Sequence, residues 1–158
     1  MLKPNEQGDL EVWEPQFDSF PIKWTQGVNN TLRHLILQKS VTELFGSEPD
    51  YPSLRQAGLT TSGFLKASNH WTMSREQASG NDSGWLFSTL NQTRDDGELK
   101  SLFEISFYHM EIVPYLALPR GARIEKSDGV IEIQFAAKRI TSNENDLLCR
   151  LAKSPILV

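Results

Sequence analysis

Two rhythms of apolar and polar residues divide the chain. Leu10-Glu-Val-Trp-Glu14 alternates with a period of two, as a half-buried strand does, and Pro15, which cannot donate to a ladder, is expected to end it. Pro21-Ile-Lys-Trp24 reads as a second short strand. From Asn30, an expected N-cap, to Gly46, an expected C′ residue, Leu32, Leu35, Ile36, Val41, Leu44 and Phe45 recur at helical spacing. The period slips at Gln38-Lys-Ser40, which leaves open one helix or two. Pro49 and Pro52 punctuate the chain, and Pro52 suits a first helical turn, predicting a short helix to Gly58.

His70-Trp-Thr-Met-Ser74 and Gly84-Trp-Leu-Phe-Ser88 read as strands around a polar loop, with Trp71 and Met73 on one face and Trp85 and Phe87 likewise on one face. Asn91 to Gly97 forms a loop that leads into a predicted helix from Glu98 to about Tyr108. Its apolar residues Leu99, Leu102, Phe103, Ile105 and Phe107 make too broad a stripe for one buried side. Pro114 is expected to interrupt that helix, with a further turn over Tyr115-Leu-Ala-Leu118 before Pro119-Arg-Gly121. Ala122 to Lys126 and Val130 to Phe135 alternate around Ser127-Asp-Gly129, a hairpin signal because glycine takes φ > 0 at little steric cost. The tail after Ala137 predicts a last helix capped by Asn143 or Asn145. This order predicts a single α+β domain: an antiparallel sheet with helices packed mainly on one side and no evident parallel βαβ units. Within it, residues 1–60 form an N-terminal strand and helix portion, 66–135 a core, and 138–158 a tail or helix.

Composition narrows the function. With 158 residues the chain suits one core, and 39% apolar with 23% charged residues is ordinary for a folded domain. A net charge of −4 argues against direct binding of nucleic acid, which needs a basic field. The acid is concentrated. Glu6, Asp9, Glu11, Glu14 and Asp18 face Lys3 alone in the first twenty residues, and Glu76, Asp82, Asp95, Asp96, Glu98 and Glu104 face Arg94 and Lys100 further on. Such faces attract a basic partner, although they also serve as solvated surface. One cysteine, Cys149, allows no internal disulfide and fits a reducing compartment. The amino-terminal residues lack a secretory pattern, and no apolar run reaches the roughly 20 residues that a bilayer requires. A cytosolic protein without a membrane partner is expected.

No reaction assembles from the side chains. His34, His70 and His109 fit no metal spacing, and Cys149 sits beside Leu147 and Leu148 as a packed thiol would. Asp82-Ser83-Gly84 is not a nucleophile elbow, and Ser79 to Gly84 lacks a phosphate loop's lysine. Asp95, Asp96 and Glu98 could ligate a hard cation, but their loop is too short for a calcium-binding loop and lacks its spaced oxygens, so they read as carboxylates at a helix N-terminus. No catalytic residue, metal or cofactor is expected. A small hydrolase or transferase using Glu76, Asp82 and Ser83 is the catalytic alternative, and a regulatory or scaffolding module is the other.

The loop after Ser74 has a local reading. Asp82 can accept backbone N–H groups two residues on, Gly84 can take a conformation closed to other residues, and Trp85 then buries its ring in the sheet. In order along the chain come Arg75-Glu76, Asp82-Ser-Gly-Trp85, Pro114-Tyr-Leu-Ala-Leu-Pro119 and Arg120-Gly-Ala-Arg-Ile-Glu125. Over about residues 66–135 this set resembles bacterial immunity proteins that carry an Arg-Glu pair, an Asp-Ser-Gly-Trp box and a leucine-proline-glycine segment before a terminal strand. Here the loop before the box is Gln77-Ala-Ser-Gly-Asn81 rather than an acidic one. The resemblance implies a gene beside a polymorphic or contact-delivered toxin, such as a type VI secretion effector, and neutralisation of that toxin by direct binding. It implies partner contacts among Arg75, Glu76, Asp82, Ser83, Asp95, Asp96 and Glu98, with Arg75 and Glu76 either contacting or bracing the loop. A basic nuclease or an enzyme acting on a nucleotide cofactor is the expected toxin.

Overall fold

In a computed structural model, residues 1–16, 19, 21–66, 69–89 and 97–153 are described. Strands β4 (Ala57–Thr61), β5 (Trp71–Arg75), β6 (Asp82–Ser88), β7 (Gly97–Ser101), β8 (Arg123–Ser127), β9 (Val130–Phe135) and β10 (Lys138–Thr141) form one sheet in the order β10-β9-β8-β5-β6-β4-β7. All its pairs are antiparallel except β4 with β6, which run parallel. Alternation sets one apolar face. Met73 pairs with Phe87 and Ile124, and Ile124 pairs with Ile133, so four strands aim apolar side chains the same way.

Helices cover that face. Helix α1 (Asn29–Glu43) contributes Val41, α2 (Leu102–Tyr108) Leu102 and Ile105, and α3 (Asp146–Lys153) Leu148 and Leu151. A 3-10 segment, Met110–Tyr115, adds Ile112 and Tyr115. Together with Trp71, Trp85 and Phe87 they make one buried cluster. The expected α+β architecture with helices on one side is therefore observed. A separate antiparallel sheet, β1 (Leu2–Pro4), β2 (Leu10–Gln16) and β3 (Lys23–Gln26), precedes α1.

Several local expectations are corrected. Strand β2 runs through Pro15, which pairs with Trp24. The Gly27 N–H donates to Val12 O, so alternate positions 14 and 16 bond β3 while Pro15 has its missing donor on the far side. α1 is one helix. Its period slips because Gln38 and Thr42 turn inward, where Gln38 Nε2 donates to Val113 O at 2.9 Å. Asn30 does not cap it; Glu14 of β2 accepts the Asn30 and Thr31 N–H groups at 3.2 and 2.8 Å. Residues 52–58 are not a helix but lead into β4, and residues 98–101 belong to β7, with Ser101 accepting the Glu104 N–H to start α2. Pro114 lies inside the 3-10 segment, not between two helical pieces.

Other expectations are met. The β8–β9 turn has Asp128 at φ 50° and Gly129 at φ 79°, the values of a tight hairpin turn. At the end of α1 the Gly46 and Ser47 N–H groups close on Glu43 O and Thr42 O. Asn145 accepts the Leu148 N–H at 3.1 Å and caps α3.

Candidate functional site

The Asp82-Ser-Gly-Trp85 segment turns the chain from an exposed loop into the core. Ser79 and Asp82 exchange backbone bonds, and Asp82 Oδ1 accepts the Gly84 N–H at 2.8 Å, as expected of an aspartate two residues upstream. Gly84 holds φ 78°, and a Cβ there would stand 2.4 Å from Glu76 O. Ser83 Oγ donates to Ala57 O at 2.7 Å and is fully buried. The Trp85 ring is buried too, with Nε1 donating to Leu116 O at 3.0 Å.

Arg75 also points inward and is 4% exposed. Its guanidinium donates to Asp50 O and Leu118 O at 2.7 Å and to Leu116 O at 3.3 Å, and pairs with Asp50 Oδ2 at 3.1 Å. Burial draws its pKa down, the Asp50 carboxylate opposes the shift, and the group stays a cation. Gly121 N–H donates to Arg75 O, and Arg75 N–H to Ala122 O. Arg75, the tryptophan box and the 116–122 segment are thus one packed unit. Arg75 and Ser83, expected among the partner contacts, lie inside it, because the polar atoms of each bond backbone carbonyls of neighbouring segments. The Arg75 guanidinium is turned inward onto the carbonyls of Leu116 and Leu118 and onto Asp50.

Glu76 and Asp82 are exposed. They border a shallow depression of about 100 Å³ lined also by Leu59, Leu86 and Leu99. Those leucines share a cross-strand row, since Leu59 pairs with both Leu86 and Leu99. The row continues through Ser74, Arg123, Gln134 and Arg139 on the sheet face away from the helices. None of these seven side chains is fully buried, and Leu99 is 67% exposed. The surface therefore grades from an apolar end edged by acid to a polar end where Arg139 pairs with Glu132.

The other expected contacts are not gathered there. Glu98 pairs with Thr60 across the strands, which puts it on the opposite face from Leu99, and it bonds Lys100 at 3.6 Å beside Glu104. It sits on β7 and not at a helix N-terminus. Asp95 and Asp96 lie outside the described residues. Among the described residues no three His, Cys, Asp or Glu side chains are grouped to hold a metal ion. Two features escaped the sequence reading. The leucine row depends on β4 and β7, whose strand character was masked by Pro52 and by the helix-like run after Glu98. The second is a buried group in which Glu111 accepts Trp71 Nε1 at 2.7 Å, binds Lys126 and lies 3.6 Å from His109. Burial raises the Glu111 pKa, but His109, Lys126 and Trp71 outweigh it and hold the carboxyl below its usual range.

A family model described as an Imm33-like domain matches residues 37–136. The span starts within α1 and ends just after β9, and so includes the packed unit and the open sheet face. No curated protein and no solved structure matches the chain.

Proposed function

The chain belongs to the Imm33-like domain family, and from that membership we propose that it is a cytosolic immunity protein that binds a cognate bacterial toxin and occludes its working surface. The toxin is a contact-delivered effector, such as one of type VI secretion, and binding protects the producing cell. The protein performs no bond-making. The observation that carries this reading is the open sheet face, where a row of incompletely buried Leu59, Leu86 and Leu99 borders a small depression that exposed Glu76 and Asp82 also line. An apolar centre with a charged rim is the composition of a protein contact, and a complex of ordinary size buries about 1,200–2,000 Å² in total. The acidic rim suits a basic toxin, a nuclease or an enzyme acting on a nucleotide cofactor, and speeds its capture. The rigid unit of Arg75, Trp85 and residues 116–122 supports the face from behind. No helix among the described residues is long and apolar enough to cross a membrane.

Co-expression with the neighbouring open reading frame tests the reading. Growth rescue together with a co-purifying complex is the expected result, and Glu76→Lys should weaken that complex about tenfold. A neighbour that is harmless when expressed alone in the cytosol would remove the basis for the proposal.

A further inference from the structure

Eight of the eleven large apolar side chains exposed among the described residues fall within the first 36. Three of them stand together on the β1–β2 hairpin. Leu2 pairs with Val12 and Pro4 with Leu10, so Leu2, Pro4, Leu10 and Val12 share one face. Leu2 is 62%, Leu10 69% and Val12 42% exposed. The opposite face covers itself, with Lys3 Nζ over the Trp13 ring at 4.5 Å and Trp13 Nε1 donating to Glu11 at 3.1 Å. The hairpin is also well built. Its turn is held by Asn5 Oδ1, which accepts the Gln7 and Asp9 N–H groups, and β2 is fixed to α1 through Glu14. An ordered strand pair with one wholly apolar exposed face is the mark of a surface that another protein covers.

We propose that this hairpin is a second docking surface, which takes a basic, apolar-centred patch on the same toxin. The inference rests on the immunity reading and deepens it: the hairpin lies outside the family-matched span of 37–136, so it can recognise the individual toxin while the shared core supplies the other contact. Charge selects the occupant. The exposed turn beside the apolar face carries Glu6 and Asp9. A second copy docked face to face across a two-fold axis brings the same patch, and the same acids, against itself. Adding a strand to β1 is disfavoured as well, because Lys3 and Pro4 stand on that edge strand. A partner of opposite charge meets neither obstacle.

The test uses the full chain and the purified product of the neighbouring gene. Leu10→Ser with Val12→Ser should raise the dissociation constant roughly tenfold or more while leaving the thermal melt unchanged, since both positions are exposed. Glu6→Lys with Asp9→Lys should slow association at low salt, and the difference should shrink as salt is added. Tight binding by the wild type that neither pair of substitutions alters would overturn the hairpin proposal and leave the immunity reading intact. A wild-type dimer in sedimentation that Leu10→Ser with Val12→Ser dissolves, with toxin binding unchanged, would assign the face to a second copy instead. No binding by the wild type would overturn both.

Discussion

Trp85 fills the core and silences a carbonyl at once. Its ring lies within the apolar cluster, and its N–H donates to Leu116 O beside the Arg75 guanidinium. Trp85→Ala therefore removes a large apolar volume and takes from Leu116 O the shorter of its two bonds, leaving it the Arg75 guanidinium at 3.3 Å. The loss should be about 3–5 kcal/mol of unfolding free energy, read from urea denaturation. An unshifted midpoint would mean that the ring contributes nothing to the core. The neighbouring Gly84 is constrained by backbone rather than side-chain packing. A methyl group there would meet Glu76 O at 2.4 Å while φ stays at 78°, so both the contact and the dihedral resist any other residue. Gly84→Ala should cost about 1–3 kcal/mol in the same assay and disturb the amide signals of Glu76 and Ala78, whose backbone the methyl would strike. Arg75 differs from both in what its chemistry suggests. A guanidinium beside a loop suggests a contact residue, yet three backbone carbonyls receive it as it turns inward, with the exposed Asp50 carboxylate at its outer side. The residue type foretold charge, and only the fold showed which way it pointed.

At the scale of elements, the N-terminus of α1 depends on a carboxylate sixteen residues upstream. Glu14 takes the place of a side-chain cap, since the N-cap residue Val28 offers no acceptor. Glu14→Ala should cost about 0.5–2 kcal/mol, as the loss of a helix cap does, and should accelerate hydrogen exchange at the Asn30 and Thr31 amides before those of Val41. Equal exchange at all of these amides would show that the cap does not hold the first turn. This contact also marks the limit of reading elements from sequence. β5, β6, β8 and β9 were legible because their alternation is complete within five to seven residues. The Asp82–Gly84 turn, the Asp128-Gly129 hairpin and the Asn145 cap were legible because donor and acceptor lie within three residues of each other. β4 and β7 were not, because what makes them strands is pairing with each other about 40 residues apart in sequence. The candidate surface inherits that division: Glu76 and Asp82 were found at the turn, while the leucine row between them needed the sheet's register.

Across the whole molecule, two carboxylates far apart in the sequence link stability to pH in the same direction. Burial raises the pKa of Glu14, but the N–H groups of Thr31 and Asn30 outweigh it and leave the value below the ordinary 4.5. Glu111 is likewise held below 4.5 by its bonds to His109, Lys126 and Trp71 despite burial. A carboxyl whose folded pKa is depressed contributes its full stability above the unfolded pKa and loses it as pH falls through the folded one. Unfolding free energy should therefore decline in two stages as pH falls. The first begins below about 6.5, because burial lowers the His34 pKa and the unfolded imidazole takes the proton sooner. The second runs through and below pH 4.5 as the two carboxylates protonate. A third carboxylate, Glu132, is also lowered, first by its bond to Arg139. That pair is largely exposed, so added salt should screen its share and leave the other two. Glu14→Gln and Glu111→Gln separate the contributions. Each should lower stability at neutral pH, Glu111→Gln the more, since Lys126 is then left buried without its counter-charge, on the order of 3 kcal/mol. Each should also flatten the acid limb, because a group that no longer titrates cannot lose its protonation-linked stability. An acid limb in the double variant as steep as in the wild type would mean that the linkage lies elsewhere. A flattened limb with a lower plateau would tie the helix entry and the buried Trp71-Glu111-Lys126 group to one acid transition, although the two carboxylates lie almost a hundred residues apart in the sequence.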